Sequence, residues 1–176
     1  MKVSVLLFIL FLSMASLPTA QAQHDVAPKN SHHKPWRIAP LIGHTLIAVN
    51  EDEHRLIASY GLDFEYWPSG KWGIGLHNDI ELESFILVEE GKEDLERERP
   101  LVITLDGLYK IWKGMVVVAG PGLEFDPNKT LILLRFGLEY EFEMRRHWDL
   151  APAIIYDTRF NAFDTWGIGL AVGKRF

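Results

Sequence analysis

The chain contains no cysteine, and that one absence removes disulfide scaffolds, thiolate zinc sites, cysteine nucleophiles and lipid attachment to an N-terminal cysteine. Basic charge is scarce as well: 18 Lys and Arg stand against 24 Asp and Glu, with no Lys/Arg cluster. Neutralising phosphates needs a basic face, so the balance argues against nucleic acid as a partner. No apolar run reaches the roughly 20 residues that a membrane-spanning helix needs. Gly-x-Ser-x-Gly, His-Glu-x-x-His and a phosphate loop are also missing.

What is present begins with a targeting segment. Lys2 supplies a positive start, Val3 to Leu12 an apolar stretch, and Ala20-Gln-Ala22 a small-x-small cleavage pattern, so residues 1–22 read as a signal peptide. Residues 23–35 are polar, carry two prolines and show no periodicity, which makes them a flexible lead-in in the periplasm. From Trp36 onward apolar residues alternate with polar or small ones, the period of a strand. Eight such runs are expected, over 37–49, 56–67, 71–88, 99–112, 114–126, 130–144, 147–159 and 164–176. Tight connections such as Pro68-Ser-Gly70, Lys113-Gly114 and Asp126-Pro-Asn-Lys129 return each strand antiparallel to the last. Eight antiparallel strands without a covering helix close into an all-β, up-and-down barrel, the arrangement that leaves no free edge.

Which surface of that barrel is apolar follows from the size of the side chains. In 130–144, Ile132, Leu134, Phe136 and Leu138 oppose Arg135, Gly137 and Glu139, and in 164–176 Trp166, Ile168, Leu170 and Val172 oppose Gly167, Gly169, Ala171 and Gly173. Small residues belong in the narrow interior of an eight-stranded barrel. The large apolar residues therefore point outward, which over so much surface only a bilayer tolerates. With both termini in the periplasm, the inner turns lie at 68–71, 112–114 and 144–147. Trp36, Trp67, Trp72, Trp112 and Trp148 sit beside that rim as an aromatic girdle. The opposite connections are short and acidic, at Asn50-Glu-Asp-Glu53 and from Glu89 to Glu98.

The terminal run Trp166-Gly-Ile-Gly-Leu-Ala-Val-Gly-Lys-Arg-Phe176 resembles the last strand of bacterial outer-membrane β-barrel proteins. The stretch from Trp36 to Phe176, with Gly43-His-Thr45, Glu65-Tyr-Trp67, Trp72-Gly-Ile-Gly-Leu-His77 and Ala119-Gly-Pro-Gly122, is similar to small outer-membrane barrels of Bacteroidetes-type bacteria. The resemblance implies an outer-membrane location in a Gram-negative cell and contact with outer-membrane lipid. It also implies delivery by the barrel-assembly machinery, which reads Phe176 as an assembly signal. It brings no established activity. Lys174 departs from the pattern, since an outward residue there is more often apolar; at the rim it can snorkel.

The polar parity collects Asp63, Glu65, Asp79, Glu81, Glu83, Asp106, Glu124, Glu139, Glu141, Glu143, Asp149 and Asp157 in the lumen against Lys110, Arg135, Arg159 and Arg175. The ordinary reading is a packed network of ion pairs and hydrogen bonds. The sharper one neutralises the acidic surplus with protons or a divalent cation. His44 and His77 share lumen parity in this reading, with His77 opposite Gly61, and with Asp63 and Asp79 they compose a candidate metal site. No cofactor is otherwise expected. The lipid-modifying barrels resemble this one in size, but the His-x-Ser arrangement of the lipid A deacylases is absent. Ser84 has no outward His beside it, and Ser59 has only carboxylates as candidate bases. The expectation is a non-catalytic structural or interaction barrel with a filled acidic lumen. A lumenal cation site or narrow proton/cation path is the alternative, and a lipid-modifying enzyme comes third.

Overall fold

A strand that alternates large apolar with small or charged residues has one surface for lipid and one for a tight interior. The computed structural model, which describes residues 34–50, 53–88, 94–160 and 162–176, rolls such strands into a closed antiparallel barrel. In chain order the strands are β1 (Trp36–Ala48), β2 (His54–Tyr66), β3 (Trp72–Glu81), β4 (Phe85–Leu87), β5 (Leu95–Arg97), β6 (Leu101–Trp112), β7 (Met115–Phe125), β8 (Leu131–Tyr140), β9 (Phe142–Glu143), β10 (Trp148–Arg159) and β11 (Asp164–Arg175). Each long strand pairs with its neighbour around the ring, β9 prolongs β8 past Glu141, and β1 pairs with β11 from Arg37↔Arg175 to Ile47↔Thr165 to close the seam. Eight long strands thus form a transmembrane β-barrel. Among the described residues no helix is long and apolar enough to cross a membrane, and crossing falls to the strands. The expected signal peptide, residues 23–33 of the lead-in, and positions 51, 52 and 89–93 of the two acidic connections lie outside the described residues.

The outer surface is apolar along every wall: Ile42, Tyr60, Leu76, Leu105, Ile132 and Ile168 all stand exposed there. At the end carrying the termini, rings on adjacent strands pair across the ladder, Trp36 with Tyr66 at 4.6 Å and Trp72 with Tyr109 at 4.2 Å. The opposite end has Tyr156 against Trp166 at 4.8 Å. Aromatic rings at both rims bracket the apolar belt as interfacial girdles do.

Two expected strands are shorter than their alternation indicates. The run 71–88 leaves the barrel wall after Glu81, and 99–112 joins it only at Leu101. Pro100 supplies a carbonyl to the Glu81 amide at 3.1 Å but has no N–H to offer, so the ladder cannot extend. In the segment that follows, β4 pairs with β5 from Phe85↔Arg97 to Leu87↔Leu95, while the Leu82 amide donates to the Ala58 carbonyl at 3.0 Å and the Val88 amide to the Val49 carbonyl at 2.9 Å. The flanks of the connection expected to be a short acidic loop are therefore two paired strands, with β5 falling inside the expected loop. Phe85 and Leu87 are buried with Ile47 and Ile57 beneath it, and Leu95 and Phe163 pack on that cluster. It forms an apolar lid on the end away from the termini.

Candidate functional site in the barrel lumen

The interior row of each strand delivers charge, and the registers stack those charges in tiers. Nearest the termini, Glu141 accepts from Lys110 Nζ at 2.7 Å and from Arg175 Nη2 at 2.5 Å. Both cations lie over the indole of Trp67, with Lys110 Nζ 5.3 Å and the Arg175 guanidinium carbon 5.2 Å from the ring. Trp67 donates its Nε1–H to Glu65 at 2.6 Å and packs on Leu108, Val116 and Val118. One tier up, Arg37 joins Glu65 to Asp149, gripping Asp149 through Nη2 at 2.7 Å and Nε at 3.1 Å.

The middle of the lumen holds His77, whose Nδ1 lies 3.0 Å from Asp106, and Thr104 donates its hydroxyl to the same carboxylate. Beyond it, Arg135 makes a bidentate pair with Asp157 at 2.7 and 2.8 Å and reaches Asp79 at 2.8 Å. The top tier centres on Glu124, which accepts from both Arg97 and Arg159. Arg159 stacks its guanidinium 4.3 Å from the Phe163 ring, and Arg97 hands a further hydrogen bond of 2.6 Å to the Lys129 carbonyl. Arg97 arrives from the β4–β5 hairpin, so the lid is tied to the lumen by charge as well as by apolar packing. What remains open inside is a cavity of about 30 Å³, room for a water or two, with Leu41 and Ile155 as well as charged side chains in its wall.

Several residues stand elsewhere than their parity indicates. His44 faces out, in the row of Ile42 and Leu46, opposite Ala58 on β2 and Ile168 on β11. β1 has apolar residues in both rows, with Leu41 and Ile47 inside, so its own alternation does not identify the lumen row; pairing with its neighbours does. Gly61 lies opposite Asp79 rather than His77. The His44/His77/Asp63/Asp79 metal site is thereby dismantled, and among the described residues no group of three His, Asp or Glu is placed to hold a metal. Trp67 is not a girdle residue: it is 1% exposed and plugs the lumen, while Trp36, Trp72, Trp112 and Trp148 stand exposed on the outer surface at the same end. Its parity with Glu65 on the same run was the signal for that placement. Glu83 and Glu143 are exposed rather than lumenal, because each falls past the end of a long strand.

Asp63, Glu65, Asp79, Glu81, Asp106, Glu124, Arg135, Glu139, Glu141, Asp157 and Arg175 do all project inward. Two cations join them that parity on the other strands did not supply. Arg37 lies on β1 opposite Glu65 and Arg175, and only that pairing with the neighbouring strands turns it inward. Arg97 comes from a loop whose path only packing determines. Ser84 is exposed beyond the wall, and Ser59 is buried opposite Glu81.

No protein-family model matches this sequence, and no curated protein matches it. Solved structures do. The attachment invasion locus protein Ail of Yersinia pestis superposes with a TM-score of 0.54 at 12% identity, over 82% of this chain and 100% of that one. Neisserial surface protein A gives 0.57 at 10% identity, over 80% of this chain and 97% of the other. The N-terminal β-barrel domain of Pseudomonas aeruginosa OprF gives 0.54 at 12% identity over the same shares. Identities this low speak for the fold alone, and the fold the chain shares with all three is that of the small outer-membrane β-barrel.

Proposed function

We propose that this protein is a non-catalytic outer-membrane barrel with a structural or interaction role. It sits in the outer membrane of a Gram-negative bacterium, of Bacteroidetes type by its sequence resemblance, with both termini in the periplasm. Its bilayer contact is outer-membrane lipid, and its entry into the membrane runs through the barrel-assembly machinery, with Phe176 as the residue read. The surface offered to partners is then the end away from the termini, with its hairpin lid. The observation that carries this reading is the lumen, stoppered by Trp67 beneath its two cations at one end and by the Arg97-anchored lid at the other. A channel needs a continuous aqueous path, and ion pairs spanning the bore leave none. In planar bilayers the refolded barrel should show no steady single-channel steps. Cation-selective steps abolished by Glu139→Ala would replace this reading with a narrow conducting path. A difference in the lipid A mass spectrum between cells with and without the protein would replace it with a lipid-active enzyme.

A further inference from the structure

Lys174 breaks the outward row of the last strand, where the exposed Trp166, Ile168, Leu170 and Val172 precede it and Phe176 follows. It is half-buried opposite Trp148 on β10, holds its Nζ 5.0 Å from the centre of that ring, and donates to the Arg146 carbonyl. A cation of the lipid-facing row is thereby fastened to the turn 144–147. That turn is strained: Arg146 and His147 have φ of 61° and 62°, the left-handed region that glycine enters at least cost, yet Arg145-Arg146-His147 stands there, all three exposed. The turns at this end, 68–71, 112–114 and 144–147, supply Lys71, Lys113, Arg145, Arg146 and His147 and no acid. Glu143 is exposed just ahead of the last turn, and Asp149, just after it, is gripped by Arg37. At the opposite end exposed cations have partners, Arg55 with Glu53 at 2.9 Å and Arg99 with Glu98 at 3.9 Å. Lys113, Arg145, Arg146 and Lys174 have no ion pair among the described residues.

We propose that the 144–147 turn and Lys174 bind the headgroup phosphate of an anionic glycerophospholipid, of which phosphatidylglycerol is the type. Arginine forks match phosphate oxygens two at a time, and the Lys174 ammonium adds a point charge from the wall itself. Trp148 marks the depth at which headgroup meets acyl chain. Beyond Trp148↔Lys174, the pairs Leu150↔Val172 and Pro152↔Leu170 carry the outward row on as an apolar column, along which acyl chains lie. A soluble anion has no use for that column, and a zwitterionic headgroup brings an ammonium that these cations repel. A net negative headgroup gains from them instead. The strain in the turn is a cost retained where a contact offsets it. The site rests on the membrane-barrel reading above; a chain that fails to enter vesicles would defeat that reading, whereas entry without selective lipid retention would defeat the site alone.

The test folds the full-length barrel into phosphatidylcholine vesicles holding a minor share of phosphatidylglycerol, extracts it in mild detergent and reads the retained lipid by native mass spectrometry. The wild-type barrel should keep phosphatidylglycerol far above its share in the vesicle, and NaCl added during extraction should strip it, because exposed ion contacts are screened. Arg145→Gln combined with Lys174→Gln should lose the enrichment, while Lys71→Gln, across the ring on the β2–β3 turn, should keep it. Arg146→Gly separates binding from folding: glycine relieves the left-handed backbone, so the urea midpoint should rise while lipid retention falls. Retention of the two lipids in their vesicle ratio by the wild-type barrel, or full enrichment in both altered barrels, would overturn the site. Displacement of the lipid by inorganic phosphate would overturn the assignment to a lipid, and stronger retention of lipid A from vesicles holding both would overturn the glycerophospholipid class. Because the wild-type comparison needs no variant, poor refolding of any variant leaves the proposal exposed to refutation.

Discussion

Arg37 illustrates what a single side chain does inside this barrel. Its side chain is fully buried and holds Glu65 on one wall to Asp149 on another, so it neutralises two carboxylates that would otherwise repel across a dry bore. Replacing a buried pair wholesale with apolar groups can be neutral, but removing one partner strands the other. Arg37→Met should therefore lower the stability of the refolded barrel by about 3–5 kcal/mol. The triple variant that also carries Glu65→Gln and Asp149→Asn should recover most of the loss, and urea titrations of both variants check it. Trp67 works on a smaller scale beside it. Trp67→Phe keeps the stopper but deletes the hydrogen bond to Glu65, which should cost about 1.5–3 kcal/mol, the range for a bond to a charged group. The same titration reads it, and a loss below the effect of an ordinary surface change would show that Glu65 is satisfied without the indole.

At the scale of the element, the strands differ in how closely they approach one another, and glycine marks the tight places. A Cβ on Gly120 of β7 would stand 2.1 Å from the Leu105 carbonyl oxygen and 2.7 Å from the Asp106 Cα, atoms of the β6 backbone that cannot swing aside. On Gly107 of β6 the nearest atom would be 3.6 Å away. Gly120→Ala should thus cost upward of about 3 kcal/mol or prevent closure. Gly107→Ala should stay within about 0.5 kcal/mol of wild type, and a reversed order in refolding assays would contradict the wall spacing. The two rows of a strand are distinguished in the same way. Leu138 on the outer row of β8 pairs with Val117 and Ile154, deep in the apolar belt, so Leu138→Arg should cost about 2–4 kcal/mol in liposomes. A variant that folds as well as wild type would mean that this row does not meet lipid.

The whole molecule depends on one seam. Trp36 and Phe176 exchange backbone hydrogen bonds of 3.3 and 3.0 Å, joining the first strand to the residue that ends the last. The Phe176 ring is half exposed on the outer rim, where it replaces water contact with the interface between acyl chain and headgroup. Phe176→Ala keeps the seam and removes only that ring, so stability in vitro should change by about 1–2 kcal/mol. Delivery to the outer membrane in cells should nevertheless fall sharply, since assembly is proposed to read the residue rather than its energy. Membrane fractionation beside in vitro refolding of the same variant separates the two effects; normal outer-membrane levels would remove Phe176 as an assembly signal.

Strand period, antiparallel return and the outward direction of the large apolar residues were all legible in the linear chain, because each depends on residues two apart or on a turn of a few residues. The rows of β8 and β11 read correctly since one carries Phe136 and Leu138 or Trp166 and Ile168 and the other glycine or charge. Where both rows of a strand are apolar, as in β1, local alternation is silent. The direction of His44 was decided by its partners Ala58 and Ile168, which lie far away in the chain. The same holds for Trp67, whose indole turns into the lumen because Glu65 and two cations await it there. Which acid meets which base is likewise a matter of strand stagger around a closed ring, a quantity no single strand contains. The lid is the extreme case. Arg97 lies 27 positions from Glu124, in a segment whose composition reads as an acidic loop, and only the closed barrel beneath it supplies the buried charge and the apolar floor on which that segment folds.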